Sequence, residues 1–212
     1  PTENYTSRLS SAASDVYKRQ GLDGRIGKKF LHPGPGYGGS CFPKDTRAMI
    51  RMAQDAGATS RIVEAVVSVN DAQKSRMVEK ITRALGGSVR DKRIGVLGLT
   101  FKPETDDMRD APSLAILPAL LEKGAIITAH DPKGIEEAKK ELPETIVYTD
   151  DIEGAVQDAD AVVLMTEWNQ YRGLQLGPLK DAMRGDVFID LRNVYERDLM
   201  ESRGFVYHCV GR

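Results

Sequence analysis

The run Arg93-Ile94-Gly95-Val96-Leu97-Gly98-Leu99-Thr100-Phe101-Lys102-Pro103 decides the fold. Its first five residues are mostly apolar and lead into a glycine turn, the form of a buried strand entering a tight loop. Downstream the pattern repeats. Ser113 to Lys123 reads as a helix opened by Pro112, Ala125 to Ala129 as a strand, Ile135 to Glu141 as a helix and Ile146 to Tyr148 as a short strand. Ile152 to Gln157 reads as a helix, and Ala161 to Met165, Val187 to Ile189 and Phe205 to Tyr207 as strands. Apolar strands separated by helices predict a parallel sheet covered on both faces, a Rossmann-like α/β domain over residues 89–212. Taken alone, Gly95-x-x-Gly98 is a weak ligand signal, since the full Gly-x-Gly-x-x-Gly fingerprint does not follow the strand.

Upstream of that domain the period is helical. Pro43 suits the first turn of a helix, where a missing N–H is harmless, and Gly57 suits its stop after Ala56. A second helix is expected from Thr59 or Ser60 to Leu85, with Ile62, Val66, Val69, Met77, Ile81, Ala84 and Leu85 at helical spacing and Gly86-Gly87 as its end. Its length suggests a connector or an oligomer interface, although an apolar stripe packed on its own domain would look the same. Residues 21–88 are therefore expected to form a loop and a central helical segment. The first twenty residues look foreign to this organisation: Pro1 to Ser14 shows no apolar period, and Asp15-Val16-Tyr17-Lys18-Arg19-Gln20 reads as the translation of a transposase adapter end. Residues 1–20 are expected to be non-native or disordered.

Composition narrows the function. A formal net charge of -1 gives no electrostatic reason to expect nucleic acid or an anionic membrane as partner. No apolar run approaches the ~20 residues of a membrane span. The two cysteines, Cys41 and Cys209, form neither a disulfide framework nor a zinc spacing, which fits a reducing cytoplasm.

The stretch richest in chemistry is Phe30-Leu31-His32-Pro33-Gly34-Pro35-Gly36-Tyr37-Gly38-Gly39-Ser40-Cys41-Phe42-Pro43-Lys44-Asp45. Clustered glycines let a backbone approach a ligand closely. Cys41 is expected just before a helix N-terminus and three residues from Lys44, two features that favour a nucleophilic thiolate. Asp45 adds a carboxylate able to act as a general base. A lone cysteine is often only a small buried hydrophobe, so the residues by themselves leave both readings of Cys41 open. The Gly-x4-Gly-Lys-Ser/Thr spacing of a phosphate loop is absent.

This run resembles, almost residue for residue, the catalytic-cysteine motif of the UDP-glucose/GDP-mannose dehydrogenase family. Gly98-Leu99-Thr100-Phe101-Lys102, continued by Thr105, Asp107, Arg109, Ala111 and Pro112, resembles the family's nucleotide-sugar segment. The resemblance implies two NAD-dependent oxidations at C6 of UDP-glucose, giving UDP-glucuronate through a cysteine thiohemiacetal and thioester. Carried over, Cys41 is the nucleophile, Lys44 an electrostatic and positioning residue, and Asp45 the group that helps activate water. Phe30, Leu31, Gly34, Tyr37 and Gly38 would wrap the glucosyl group, Phe101, Lys102 and Arg192 would bind the nucleotide-sugar, and Arg109 would reach towards NAD. No metal is implied. The central helix would make a homodimer.

The resemblance runs from Gly21 to Arg212 and covers the later half of a family member, so an N-terminal NAD-binding domain is expected to be missing and this chain alone to be inactive. His130-Asp131-Pro132, Thr166-Glu167-Trp168 and Asp190-Leu191-Arg192-Asn193 also match at strand ends, with Asp131 readable as a turn cap and Trp168 as packing. GDP-mannose or another nucleotide-sugar remains an alternative substrate, and a non-catalytic nucleotide-sugar-binding module an alternative role.

Overall fold

A parallel sheet forms where apolar residues must be buried on both faces of each strand. Six strands meet that demand: β1 (Arg93–Leu97), β2 (Ile126–His130), β3 (Val147–Tyr148), β4 (Ala161–Leu164), β5 (Val187–Asp190) and β6 (Val206–Cys209). All are parallel, in the order β3-β2-β1-β4-β5-β6. The helices are α1 (Cys41–Asp55), α2 (Arg61–Ala84), α3 (Ser113–Glu122), α4 (Ile135–Glu141), α5 (Ile152–Val156), α6 (Asn169–Arg172), α7 (Leu176–Ala182) and α8 (Arg197–Ser202). This order is that of a doubly wound dinucleotide-type sheet, in which the chain reverses direction between β1 and β4.

The computed structural model describes residues 19–27 and 31–211. Most of the expectation for residues 1–20, and all of that for Phe30, lies outside the described residues. The chain forms two compact units, residues 1–33 and 34–212. In the first, Asp23 and Arg25 form an ion pair at 2.7 Å within a turn that follows Arg19.

In the second unit, successive strand residues feed opposite cores. Ala161 and Val163 of β4 face a core built with Met77, Val78 and Ile81 of α2 and Ile116, Leu117 and Leu120 of α3. Val162 and Leu164 face the other, with Tyr171, Leu179, Phe188, Phe205 and Tyr207. Phe188 meets Phe205 edge-on at 5.6 Å and Tyr195 at 5.7 Å, so its burial adds aromatic contact to roughly 2–3 kcal/mol of transfer free energy. Among the described residues, no helix is long and apolar enough to cross a membrane.

The long helix α2 divides between two environments. Its later half, with Met77, Val78 and Ile81, is buried in the core, whereas Ile62, Val66 and Val69 of its first half are exposed. In α1 only Pro43 is buried, and Met49 and Met52 are exposed with them. The helix starts at Cys41, so the cysteine is its first residue instead of the one preceding it. Three short helices, α6, α7 and α8, add to those the sequence pattern gave.

Gly95 is where the sheet and a crossover helix come closest. A Cβ there would lie 2.5 Å from the carbonyl oxygen of Ala155 in α5, a backbone atom that cannot swing away. We expect Gly95→Ala to destabilise the chain by about 1–3 kcal/mol, lowering the thermal midpoint by about 3–10 °C. Gly177→Ala in α7, with nothing within 4 Å, should be neutral or stabilising. Equal midpoints for the two variants in a thermal melt would contradict this packing.

Candidate functional site

The carboxyl ends of β1, β4 and β5 supply three loops beside the reversal point, where ligands lie in open α/β sheets. The loop after β1 carries Phe101 and Lys102, with the Lys102 ammonium 5.2 Å from the Phe101 ring centroid. The loop after β4 carries Glu167, and that after β5 carries Arg192. The Arg192 side chain is 14 % exposed; its Nε donates to Met165 O at 2.8 Å and its Nη2 to Phe101 O at 3.1 Å. Glu167 Oε2 stands 3.1 Å from Arg192 Nε, near enough to pair electrostatically but without an aligned hydrogen bond. Burial pushes the Arg192 pKa down, and the charges of Glu167 and Asp190 oppose that shift.

The glycine loop lies against this framework. A Cβ on Gly34 would stand 3.0 Å from Arg192 Nη1, and one on Gly38 would stand 2.5 Å from Asp110 O and 3.0 Å from the Phe101 Cβ. Gly39, at φ +88°, would put its Cβ 2.8 Å from the Phe101 ring, and its N–H donates to Arg109 O at 2.7 Å. Helix α2 holds the loop from its other side. Asn70 accepts from Tyr37 N–H at 2.7 Å and donates to Tyr37 O at 3.2 Å, and Gln73 donates to Gly34 O at 3.0 Å. The Tyr37 ring meets Phe42 edge-on at 4.8 Å.

Cys41 follows directly, an exposed free thiol with Ser40 Oγ at 3.7 Å. As the first residue of α1 it sits where backbone N–H groups lack intrahelical partners. Lys44 and Asp45, one turn on, are exposed and form an ion pair with each other at 3.2 Å. Arg109 grips Asp107 through two hydrogen bonds of 2.9 and 2.6 Å. That pairing raises the Arg109 pKa, with a small further push from Cys41, and holds the Asp107 carboxyl below its ordinary range.

Gly34 thus lies against Arg192 and Gly38 against Phe101, which Arg192 holds through its carbonyl, with Tyr37, Lys102 and Arg109 on the same loops and Cys41 at the helix start that follows. Leu31 belongs to the other compact unit, so its expected role is not placed beside these residues. Trp168 is 3 % exposed and packs in the second core. Cys209 is buried and outside any disulfide, with Arg197 Nη2 donating to its Sγ at 3.7 Å. The sequence reading missed Asn70 and Gln73, and it saw Glu167 only within the Thr166-Glu167-Trp168 match, without a role; the only signal for Asn70 was a polar residue next to the apolar stripe of α2. Among the described residues, no group of three His, Cys, Asp or Glu could hold a metal ion.

Two sequence profiles of one family match: the UDP-glucose/GDP-mannose dehydrogenase family, UDP binding domain, over residues 95–197, and the same family's central domain over residues 2–72. The central-domain match takes in the initial segment set aside above. The chain is 49 % identical over 205 residues to a UDP-glucose 6-dehydrogenase of Rhizobium meliloti, covering 97 % of this chain and 47 % of that protein. It is 41 % identical to UDP-glucose 6-dehydrogenase TuaD of Bacillus subtilis, over 99 % of this chain and 45 % of that one. The solved UDP-glucose dehydrogenase of Pyrobaculum islandicum superposes with a TM-score of 0.77 at 36 % identity, covering 92 % of this chain and 42 % of that structure. The chain belongs to the UDP-glucose/GDP-mannose dehydrogenase family, and it spans about half the length of the curated relatives it matches.

Proposed function

We propose that this chain is the half of a UDP-glucose 6-dehydrogenase that holds the nucleotide-sugar and the nucleophile, acting in the oxidation of UDP-glucose to UDP-glucuronate in the cytoplasm. Residues 21–88 supply the cysteine loop and connector, and residues 89–212 the UDP-sugar domain. The observation that carries this reading is the seating of Gly38 and Gly39 on Phe101, which places the chain start of the Cys41 helix beside the loop bearing Lys102.

Each residue then has a defined task. Lys102 supplies charge for the diphosphate, and the Phe101 ring an apolar face for the uracil or ribose. Arg192 holds the Phe101 carbonyl and takes part in the sugar-nucleotide pocket. The open glycine loop, with Gly34, Tyr37 and Gly38, surrounds the glucosyl group. Cys41 adds through sulfur to the C6 aldehyde as a thiohemiacetal; at the acid oxidation level C6 is a thioester, which water cleaves to the carboxylate and the free thiol. Lys44 stabilises negative charge on the C6 oxygen, and Asp45 takes the proton of the attacking water. Two NAD molecules in turn would each supply the acceptor for one hydride, and Arg109 would help to hold them. The turn after β1 does not fit that cofactor, because Asp131 already occupies its amides at 2.7 and 3.2 Å. Hydride acceptance, and with it turnover, belongs to the assembled protein.

In an enzyme completed with the family's N-terminal half, Cys41→Ser should cut release of UDP-glucuronate by on the order of a thousandfold or more, because a hydroxyl is a far poorer nucleophile than a thiolate here. Chromatographic assay of the uronate decides; normal release by the variant removes Cys41 from the chemistry.

The apolar residues left exposed on α1 and the first half of α2, Met49, Met52, Ile62, Val66 and Val69, support a homodimer through this helical segment. Val69→Glu should weaken self-association by about tenfold or more and leave the fold intact, read by sedimentation velocity. Identical sedimentation of variant and parent would place any dimer contact elsewhere.

A further inference from the structure

In a sheet of this order, a dinucleotide lays its pyrophosphate on the amides of the turn after β1. Here that turn is saturated by the chain itself. Leu99 N–H and Thr100 N–H donate to Asp131 Oδ2 at 2.7 and 3.2 Å, and Thr100 Oγ1 and Trp168 Nε1 approach the same oxygen at 3.3 Å. The carbonyls are taken as well: Leu99 O accepts from Ser113 Oγ at 2.5 Å, Thr100 O from Thr166 Oγ1 at 2.5 Å and Phe101 O from Arg192 Nη2 at 3.1 Å. Phe101 N–H completes the set by donating to Asp107 O at 3.3 Å.

The other carboxylate oxygen, Oδ1, accepts from Lys133 N–H at 3.0 Å and Gly134 N–H at 2.7 Å. Those two bonds are an ordinary turn after β2 and need only one oxygen. The donors on Oδ2 come from outside that turn, from the β1 and β4 loops, so turn formation does not account for them. Asp131 is 2 % exposed. A carboxylate taken this far from water is tolerated only when donors replace its hydration, and the two amides, hydroxyl and indole do so.

We propose that Asp131 is a built-in anion standing where a dinucleotide pyrophosphate would bind, closing this sheet to dinucleotides and fixing the β1 loop as the platform for Phe101 and Lys102. The first part stands on the geometry alone; the second rests on the nucleotide-sugar reading above. Asp131 is in this sense a positioning residue. It touches no substrate, and it acts through the two residues that follow Thr100.

The test is chemical rescue. Asp131→Ala leaves a space the size of a carboxylate above unpaired amides, and formate supplies the missing group. In the variant, formate at about ten times its dissociation constant should raise the thermal midpoint by about 4 °C over chloride of equal ionic strength, while the parent chain shows no difference between the two salts. A folded variant that responds alike to formate and chloride overturns the proposal. Should Asp131→Ala not fold, Asp131→Asn decides, since it keeps the shape and removes the charge. It should bind UDP about tenfold more weakly than the parent chain by calorimetry, and unchanged affinity overturns the proposal. If the parent chain binds no UDP, the nucleotide-sugar reading fails, while the formate series still judges Asp131.

Discussion

The Arg192 guanidinium, mostly withdrawn from water, divides its hydrogens between the carbonyls of Met165 and Phe101, stands beside the Glu167 carboxylate and closes on the backbone of Gly34. Three segments far apart in sequence are thereby held in one place: the end of β4, the loop after β1 and the start of the cysteine loop. Burial works against the charge, but an arginine does not give up its proton in a protein, so the charge must be met by partners. Removing one partner from such a group leaves an uncompensated charge, a loss of about 3–5 kcal/mol in buried pairs. Arg192 is therefore as much a structural tie as a candidate ligand contact, and its two roles need the same fixed geometry.

That tie explains how a mobile kind of chemistry rests on a rigid base. The central strands β1, β4 and β5 are almost wholly buried, and the loops that leave them are pinned by side chains whose acceptors and donors are almost all assigned. The cysteine helix is different. Only Pro43 of α1 is buried, and Cys41, Lys44 and Asp45 all face solvent. What positions the thiol is the glycine loop before it, which lies so close to Phe101 and Asp110 that a single Cβ at Gly38 would collide with backbone. The close approach of that loop, more than any cap or burial of the helix itself, sets where the Cys41 thiol stands.

Much of this was legible in the sequence. The apolar period gave all six strands to within a residue or two, because buried parallel strands carry continuous hydrophobic runs that few other structures produce. Helical spacing and stop signals gave α1 to α5. Helices α6, α7 and α8 were not read, since they hold only four to seven residues and α7 also carries Gly177 and Pro178. Cys41 and its flanking glycines, lysine and aspartate were visible as residue types. The ion pair that joins Lys44 to Asp45, the grip of Arg109 on Asp107 and the support from Asn70 and Gln73 were not, because each depends on where side chains point after folding. The apolar stripe of α2 also hid a division. Its spacing is uniform, yet half of it faces the chain's own core and half faces solvent.

The central claim is that the loops ending β1 and β5 form a site for a uridine nucleotide-sugar, in a sheet that no dinucleotide can occupy. Calorimetric titration of the chain with UDP-glucose, GDP-mannose and NAD, alongside its Lys102→Ala variant, tests it most directly. The account predicts binding of UDP-glucose in preference to GDP-mannose, no heat with NAD, and affinity for UDP-glucose lowered about tenfold or more by the loss of Lys102. Binding of NAD, or UDP-glucose binding that ignores Lys102, would contradict it.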